Sequence, residues 1–451
     1  MQSQQQQQLQ QPPATPTYIL RGHNSPIHGL HIFHKNLRLI SGDADGWIIV
    51  WDLVFKRPVA VWKAHDGAIL EVKGFTFDNG TVTEVYTHGR DHKLCVWRFR
   101  LQDESLLQKT LPVDVGENLQ SQQATQPWLV HSLPVNALNF CAFSMLFLDD
   151  YAAQEPGPSD AQSQGDNDNN SNNNSNSNNS QRISLFAVPN ALDSGAIDLF
   201  HLPRERRVCT IPAGTTSQTG MVMAVNLFHP SLQEKEEEEE KKLYVASAYE
   251  DGQVMVFVRR GRLTEPDFSG KSGQWKWEKV YVTRAHSQPV LSIDVCVTAG
   301  YFVSSAADAL LVKHPVPGLG AEVPVKKVDT KHSGQQGVRV RSDGKIFATA
   351  GWDSRIRVYS CKTMRELAVL KWHKEGCYTV AFADVSTSVG SGVAATGARE
   401  GDGDGDDRAQ VTRRGGFSLA TVQQQRSQKV QKTHWLAAGS KDGKISLWDI
   451  Y

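Results

Sequence analysis

Residues 21–53 read RGHNSPIHGLHIFHKNLRLISGDADGWIIVWDL. A polar loop carrying His23 leads into an alternating segment. A second apolar segment runs to the tight sequence SGDADG, and a third ends in Trp51-Asp52. Apolar runs of five to seven residues separated by Gly/Asp turns are the signature of short antiparallel strands. The same order of features recurs along the chain. A second copy begins AHDGAILEVKGF at Ala64 and closes YTHGRDHKLCVWRF; a third runs from His131 (HSLPVNALNFCAFSM) and resumes at ISLFAVPNALDSGAIDLFHL. Then come MVMAVNLFHP with LYVASAYEDGQVMVFV, AHSQPVLSIDVCVTAGYFVSSAADALLVKHP, HSGQQGVRVRSDGKIFATAGWDSRIRVYS, and WHKEGCYTVAFADV with HWLAAGSKDGKISLWDIY.

Seven four-stranded units of roughly 40 to 45 residues account for about 300 residues. The chain has 451, so the surplus lies in insertions, at about 150–181, 231–242 and 385–432. Residues 159–181 (SDAQSQGDNDNNSNNNSNSNNSQ) are too polar to bury anything, 234–242 (EKEEEEEKK) are a solvated charge run, and 385–432 show no periodicity; all three read as disordered. Each insertion falls between the first and second strand of its repeat, which puts all three on one side of a ring. The opposite side is then clear apart from longer connections at about 101–130 and 259–274. The expected architecture is all-β: a single seven-bladed β-propeller over residues 17–451, preceded by a Gln/Pro-rich disordered tail, 1–16. Thr17–Arg21 (TYILR) has strand composition and is expected to supply the outer strand of the last blade, covering an otherwise bare edge.

Lys plus Arg and Asp plus Glu both total 48, and the isoelectric point is near 7.3. That balance argues against a general binder of nucleic acid or membrane surfaces. The amino-terminal residues have no signal-peptide character and no stretch is apolar enough to span a bilayer, so a soluble protein is expected. The six cysteines are scattered, without metal spacing. His28, His31 and His34 fall along a strand and its turn, where their spacing does not converge. Gly401–Asp407 (GDGDGDD) lacks the glutamate that closes a calcium loop. No nucleophile elbow, phosphate loop or zinc helix occurs. The expectation is no catalysis, no cofactor, no metal and no small-molecule substrate.

Gly22-His23 with Trp51-Asp52, and Lys441-Asp442-Gly443 with Trp448-Asp449, resemble the GH…WD signature of the WD-repeat family. That resemblance implies a buried hydrogen-bond network in each blade, joining loop His, second-strand Ser or Thr, turn Asp and third-strand Trp. Carried over, blade one has His23, Ser41, Asp45 and Trp51; blade two has His65, Thr87, Asp91 and Trp97. Blade six has His332, Thr349 and Asp353, with Tyr359 in place of Trp. Blade seven has His373, Asp442 and Trp448, with Ala438 lacking the hydroxyl. Blade five keeps Asp308 with His314 at the Trp place, blade four keeps Asp251 with Phe257, and blade three ends at Phe200. In this family the residue before the turn Asp points onto the narrower face. Here these residues are Ala44, Arg90, Glu250, Ala307, Trp352 and Lys441. Of these, Arg90, Glu250, Trp352 and Lys441 are the candidate partner-binding residues. At Trp352, packing on its neighbours is an equal alternative.

Over its whole length, with divergent middle repeats, the entry YILRGHNSPIHGL and an interrupted seventh blade, the chain resembles a fungal family of ASTRA-associated propellers. That resemblance implies a scaffold subunit in the nucleus, with a cytoplasmic pool allowed. Its partners would be protein subunits of an ASTRA-like chromatin-remodelling assembly, which contains AAA+ ATPases and a cochaperone module serving giant kinases related to phosphatidylinositol kinases. Two other functions fit a propeller. A G-protein β-like subunit needs an amino-terminal coiled coil, and residues 1–17 have no heptads. A cullin ubiquitin ligase receptor calls for Trp-Asp-x-Arg, and the nearest match, Trp97-Arg98-Phe99-Arg100, has Arg at the Asp place.

Overall fold

The computed structural model describes residues 14–114, 125–136, 141–148, 182–213, 219–230, 242–261, 275–319, 323–385 and 419–450. Residues 1–13, most of the three insertions and Gly401–Asp407 lie outside the described residues, and with them the expectations of disorder made for those segments.

A short strand β1 (Tyr18–Arg21) precedes the first blade, which comprises β2 (Ile27–Phe33), β3 (Arg38–Asp43), β4 (Trp47–Asp52) and β5 (Arg57–Lys63). Blade two comprises β6 (Ile69–Phe77), β7 (Val82–Gly89), β8 (Lys93–Arg100) and β9 (Trp128–Pro134), and blade three β10 (Ser144–Phe147), β11 (Ser184–Pro189), β12 (Ile197–Leu202) and β13 (Arg206–Ile211). Blade four follows with β14 (Val222–Phe228), β15 (Leu243–Tyr249), β16 (Gln253–Arg259) and β17 (Glu278–Arg284), then blade five with β18 (Val290–Cys296), β19 (Tyr301–Ala306), β20 (Leu310–Pro315) and β21 (Lys326–Asp329). Blade six holds β22 (Gln335–Val340), β23 (Ile346–Gly351), β24 (Arg355–Ser360) and β25 (Glu366–Lys371); blade seven holds β26 (Cys377–Phe382), β27 (Trp435–Ser440) and β28 (Lys444–Asp449). Each of the seven sheets is an antiparallel meander, and the seventh is completed by β1 in the order β1-β28-β27-β26. The register runs from Tyr18↔Leu447 to Arg21↔Lys444, extended by the Thr17 N–H on the Leu447 carbonyl at 2.7 Å.

The middle strands are apolar on both faces because both faces are covered. β15 is buried at every position, and the apolar run β4 (WIIVWD) is buried through its centre. One core cluster unites Ile40, Ile48, Val50 and Trp62 of blade one with Ile69, Val72, Val85 and Trp97 of blade two. Another unites Leu20, Ala437, Ile445 and Leu447 of blade seven with Leu30, Ile49 and Trp51 of blade one. Burial of each such side chain contributes roughly 1.5–3 kcal/mol. Outer strands touch only one neighbour over much of their length, and β9 accordingly leaves Trp128 and Leu129 exposed.

Two expectations need correction. The seventh-blade insertion is not uniformly irregular, because residues Leu419–Lys432 (LATVQQQRSQKVQK) form a helix, α1. Its Gln, Leu, Ala, Lys and Arg are good helix formers, and Lys429 and Lys432 in the last turn suit the dipole. The segment is polar nearly all round, so it offers no apolar stripe to read. It docks by its last turn, with Val430 buried and its carbonyl taking the Trp435 indole N–H at 3.1 Å. The second correction concerns the connections at about 101–130 and 259–274. Both join third to fourth strands, and in an antiparallel meander these emerge on the same side as the first-to-second links. The five longest links therefore leave from one side, the insertion side. From there one of them climbs the rim of blade one. Glu104 pairs with Arg38 at 3.0 Å, the Gln108 carbonyl accepts the Val61 N–H of β5 at 2.8 Å, and the Pro112 carbonyl accepts from Asn24 at 2.8 Å.

If β1 clasps the ring through its apolar contacts, Leu20→Ala lowers unfolding free energy by about 2–5 kcal/mol. Urea denaturation of the full chain measures this, and an unchanged midpoint would show that the clasp carries no weight.

Candidate partner-binding face

The side opposite the insertions is made of seven second-to-third-strand turns and the loops that lead from blade to blade. What fixes these turns is the set of hydrogen bonds beneath them. In blade two, His65 lies 2.7 Å from the Thr87 hydroxyl and 2.8 Å from Asp91, and the Trp97 indole N–H donates to the same hydroxyl at 3.1 Å. The Asp91 carboxylate can only accept, so Nδ1 of His65 donates to it; Nε2 of the neutral ring then accepts from the Thr87 hydroxyl, whose oxygen accepts from Trp97. Burial alone raises a carboxyl's pKa, but at Asp91 the hydrogen bond and charge of His65 outweigh it and hold the group below its usual range.

Blade one repeats this with a different carboxylate. His23 contacts Ser41 and Asp43, both at 2.7 Å, and Trp51 donates to Ser41 at 2.9 Å. Asp45, assigned to the network from the spacing, instead accepts from Ser25 at the turn tip. Blade two has Gly89 where blade one has Asp43, and a Cβ there would lie 2.4 Å from the His65 ring. The carboxylate must then come from two residues on. In blade seven His373 meets Ser446 at 2.9 Å and Asp442 at 3.4 Å, and Trp448 donates to Ser446 at 2.8 Å. The hydroxyl missing at Ala438 is supplied by its cross-strand partner Ser446. Blade five has His286 on Ser304 (2.7 Å) and Asp308 (3.0 Å), with His314 meeting Ser304 at 2.8 Å in the manner of an indole and Tyr281 at 3.2 Å on its other nitrogen. Ser304 and Ser446 were missed in the sequence; the available signals were a Ser four residues before the turn Asp308, as Thr87 stands before Asp91, and a Ser opposite Ala438.

Blade six departs furthest from the assignment. Thr349 donates to Gln335 at 2.7 Å, while His332 is half exposed and stands 3.6 Å from Asp353. Arg357 takes Asp353 in a two-pronged pair at 2.6 and 3.1 Å. Gln335 and Arg357 thus replace the histidine. In blade four Asp251 binds Gln253 (2.6 Å), and in blade three Asn190, Thr210 and Asp198 form a local cluster at 2.6–2.9 Å.

Above these networks Arg90, Glu250, Trp352 and Lys441 are all exposed, whereas Ala44 and Ala307 are half buried. Glu250 accepts the Met221 N–H at 3.2 Å. Trp352 is 46% exposed, and it also packs on its neighbours. One face of its indole lies on Gly334, a residue at φ +75° where a Cβ would fall 2.1 Å from the ring, and its N–H donates to Gln336 at 2.8 Å. The other face is open. The backbone of Trp352 abuts Gly376, whose carbonyl accepts the Lys441 N–H at 2.9 Å. Trp352 and Lys441 therefore flank one loop, while Arg90 and Glu250 sit on blades two and four.

The axis of the ring holds a cavity of about 380 Å³ lined by first strands. Arg339 of blade six reaches Glu71 of blade two at 2.8 Å, and Asp294 accepts the Val340 N–H at 2.6 Å. Burial lowers Lys73 and raises Asp294 there, and holds His31 well below its usual value. His28, His31 and His34 go to separate partners: His28 stacks on Tyr378, His31 accepts from Gly74, and His34 packs at Gly80.

The fold is that of a seven-bladed β-propeller. Residues 16–448 match the family model described as ASTRA-associated protein 1. The chain is 75% identical over 443 residues to ASTRA-associated protein 1 of Aspergillus flavus, covering 98% of each chain, and 62% identical to that of Aspergillus niger, covering 98% and 99%. It is 30% identical to that of Schizosaccharomyces pombe over 82% of this chain and 93% of the relative. The chain belongs to the ASTRA-associated protein 1 family.

Two measurements test the networks. Ser446→Ala removes the partner of the Trp448 indole N–H and of Nε2 of His373 and is expected to cost about 1–3 kcal/mol in a chemical melt; adding Ala438→Ser restores a hydroxyl opposite and recovers part of the loss. Acid titration tests the histidines. Burial pushes His314 down to about 3 and lowers His286 despite Asp308. Groups depressed in the folded state are protonated first in the unfolded chain, so their stability is complete above about pH 6.5 and drains as pH falls toward the folded values. Asp91 and Asp442, also depressed, add loss only below the usual carboxylate range. The melting temperature should fall between pH 7 and 5, and fall less steeply in His314→Gln.

Proposed function

We propose that this chain is a non-catalytic subunit of the nuclear ASTRA assembly, which acts in chromatin remodelling and in cochaperone support of kinases related to the phosphatidylinositol kinases, and that it holds its partners on the turn face. The relatives are named for their association with ASTRA, and that name supports protein partners. The observation that carries the choice of face is Trp352, an aromatic ring fixed on one side by Gly334 and Gln336 and open on the other. A ring already immobilised loses little further entropy on binding, and aromatic and Arg side chains dominate interface energetics. The five longest links leave from the other side, and of these the one after β8 reaches round the rim to Asn24. The axial residues are satisfied by each other, which fits a structural role better than a catalytic one.

The double variant Arg90→Glu with Trp352→Ala is expected to melt near the wild-type temperature. It should lose co-purification of ASTRA subunits from nuclear extract, by about thirtyfold in affinity for a loss of roughly 2 kcal/mol. A native-like melt with undiminished recovery of those subunits by mass spectrometry would place the contact elsewhere.

A further inference from the structure

We infer that the outer sector of blades six and seven on the turn face is a docking surface for an acidic protein segment carrying an apolar side chain. The inference rests on the turn-face reading above and adds the chemistry of the partner. It starts from strand register. Arg355, the first residue of β24, is the cross-strand partner of Lys371, the last of β25. One blade on, Lys444, the first of β28, is the partner of Arg21, the last of β1. All four stand at the strand ends nearest the turn face. Directly opposed residues in an antiparallel pair have Cβ atoms about 5 Å apart, and like charges there destabilise the sheet.

The fold does not demand this. At the corresponding register the other blades pair Trp47 with Lys63, Lys93 with Pro134, Ile197 with Ile211, Gln253 with Arg284, and Leu310 with Asp329. Only the two adjacent blades beside Trp352 oppose two cations. Exposed Lys374 and Lys441 extend the same sector, and the Trp352 and Lys441 turns both touch Gly376. The neighbouring carboxylates are engaged: Asp353 by Arg357, Asp442 by His373 and Lys444. In a chain whose cations and anions balance overall at 48 each, this is a local excess of positive charge around one open aromatic face.

A peptide backbone with Asp and Glu side chains satisfies the cations and offers an apolar group to Trp352. Exposed Glu375 stands on the loop among the cations. It repels a phosphate backbone, whereas a peptide presents an N–H or hydroxyl to it. A protein segment is therefore favoured over nucleic acid.

The test uses the full chain and a fluorescein-labelled synthetic peptide of alternating Asp and Glu around a central Phe, followed by anisotropy. Binding is expected, weakening as salt screens the charges. Lys371→Glu with Lys441→Glu should lower affinity about tenfold or more, as reversed charges turn attraction into repulsion. Trp352→Ala should lower it severalfold, and Arg365→Glu on the insertion side should leave it unchanged. A second readout separates function from architecture: Lys371→Glu alone faces Arg355 with an opposite charge and should raise the melting temperature while weakening the peptide. Peptide binding indifferent to these changes, a lower melting temperature in Lys371→Glu, or oligo-dT bound more tightly than the peptide would each overturn the inference. If the peptide fails while Arg90→Glu with Trp352→Ala still loses ASTRA subunits, the face stands and its acidic partner chemistry falls.

Discussion

A four-stranded sheet that is apolar on both faces cannot persist in water by itself. Every blade here is such a sheet, so each needs a neighbour on either side, and only a closed ring gives all of them two. The clusters that bridge blade one to two, and seven to one, are the direct expression of this. Much else follows from closure. The first strand must pair with the last so that no blade is left with three strands, and the loop histidines His23, His65, His286 and His373 are buried, where each needs partners.

The same requirement explains what could be read in the sequence. Apolar runs, turns and their sevenfold recurrence are set by the blade as a unit, so they survive in every copy and give the architecture. The polar networks are set by a weaker rule, which is that a buried donor or acceptor must be matched by something. In blade one Asp43 and Asp45 both lie within reach of that rule, and spacing alone favours the wrong one; the deciding fact is whether the residue two before the turn Asp carries a side chain, as Asp43 does and Gly89 does not. In blade seven a hydroxyl moves from the second strand to its partner on the third. In blade six Gln335 and Arg357 displace His332 altogether. Helix α1 escaped for another reason, since it leans on the ring by little more than Val430 and has no apolar face to announce it. Candidates for the face were readable in six of the seven blades, at the position before the turn Asp. The cations around Trp352 were not, because that Arg355 opposes Lys371 and Arg21 opposes Lys444 depends on strand register.

The two sides of the disc differ in build. Length variation is absorbed on the insertion side, where even long loops add slowly to closure entropy. The turn face is held from below by the histidine networks and from the side by glycines that admit the indole. A substitution at Gly334 would act on Trp352 without touching the exposed surface, because the ring occupies the space a Cβ would need.

The link that climbs the rim of blade one bears on the order of events during synthesis. β1 leaves the ribosome more than four hundred residues ahead of its partner β28, and until then its backbone edge has no strand to pair with. The segment ending at Asp114 emerges far sooner. By holding Gly22 and Asn24 through Pro112 and Val113, it tethers the waiting strand beside blade one, near where the seventh blade will arrive. The search of a free amino-terminal tail for its distant partner becomes a short local docking step.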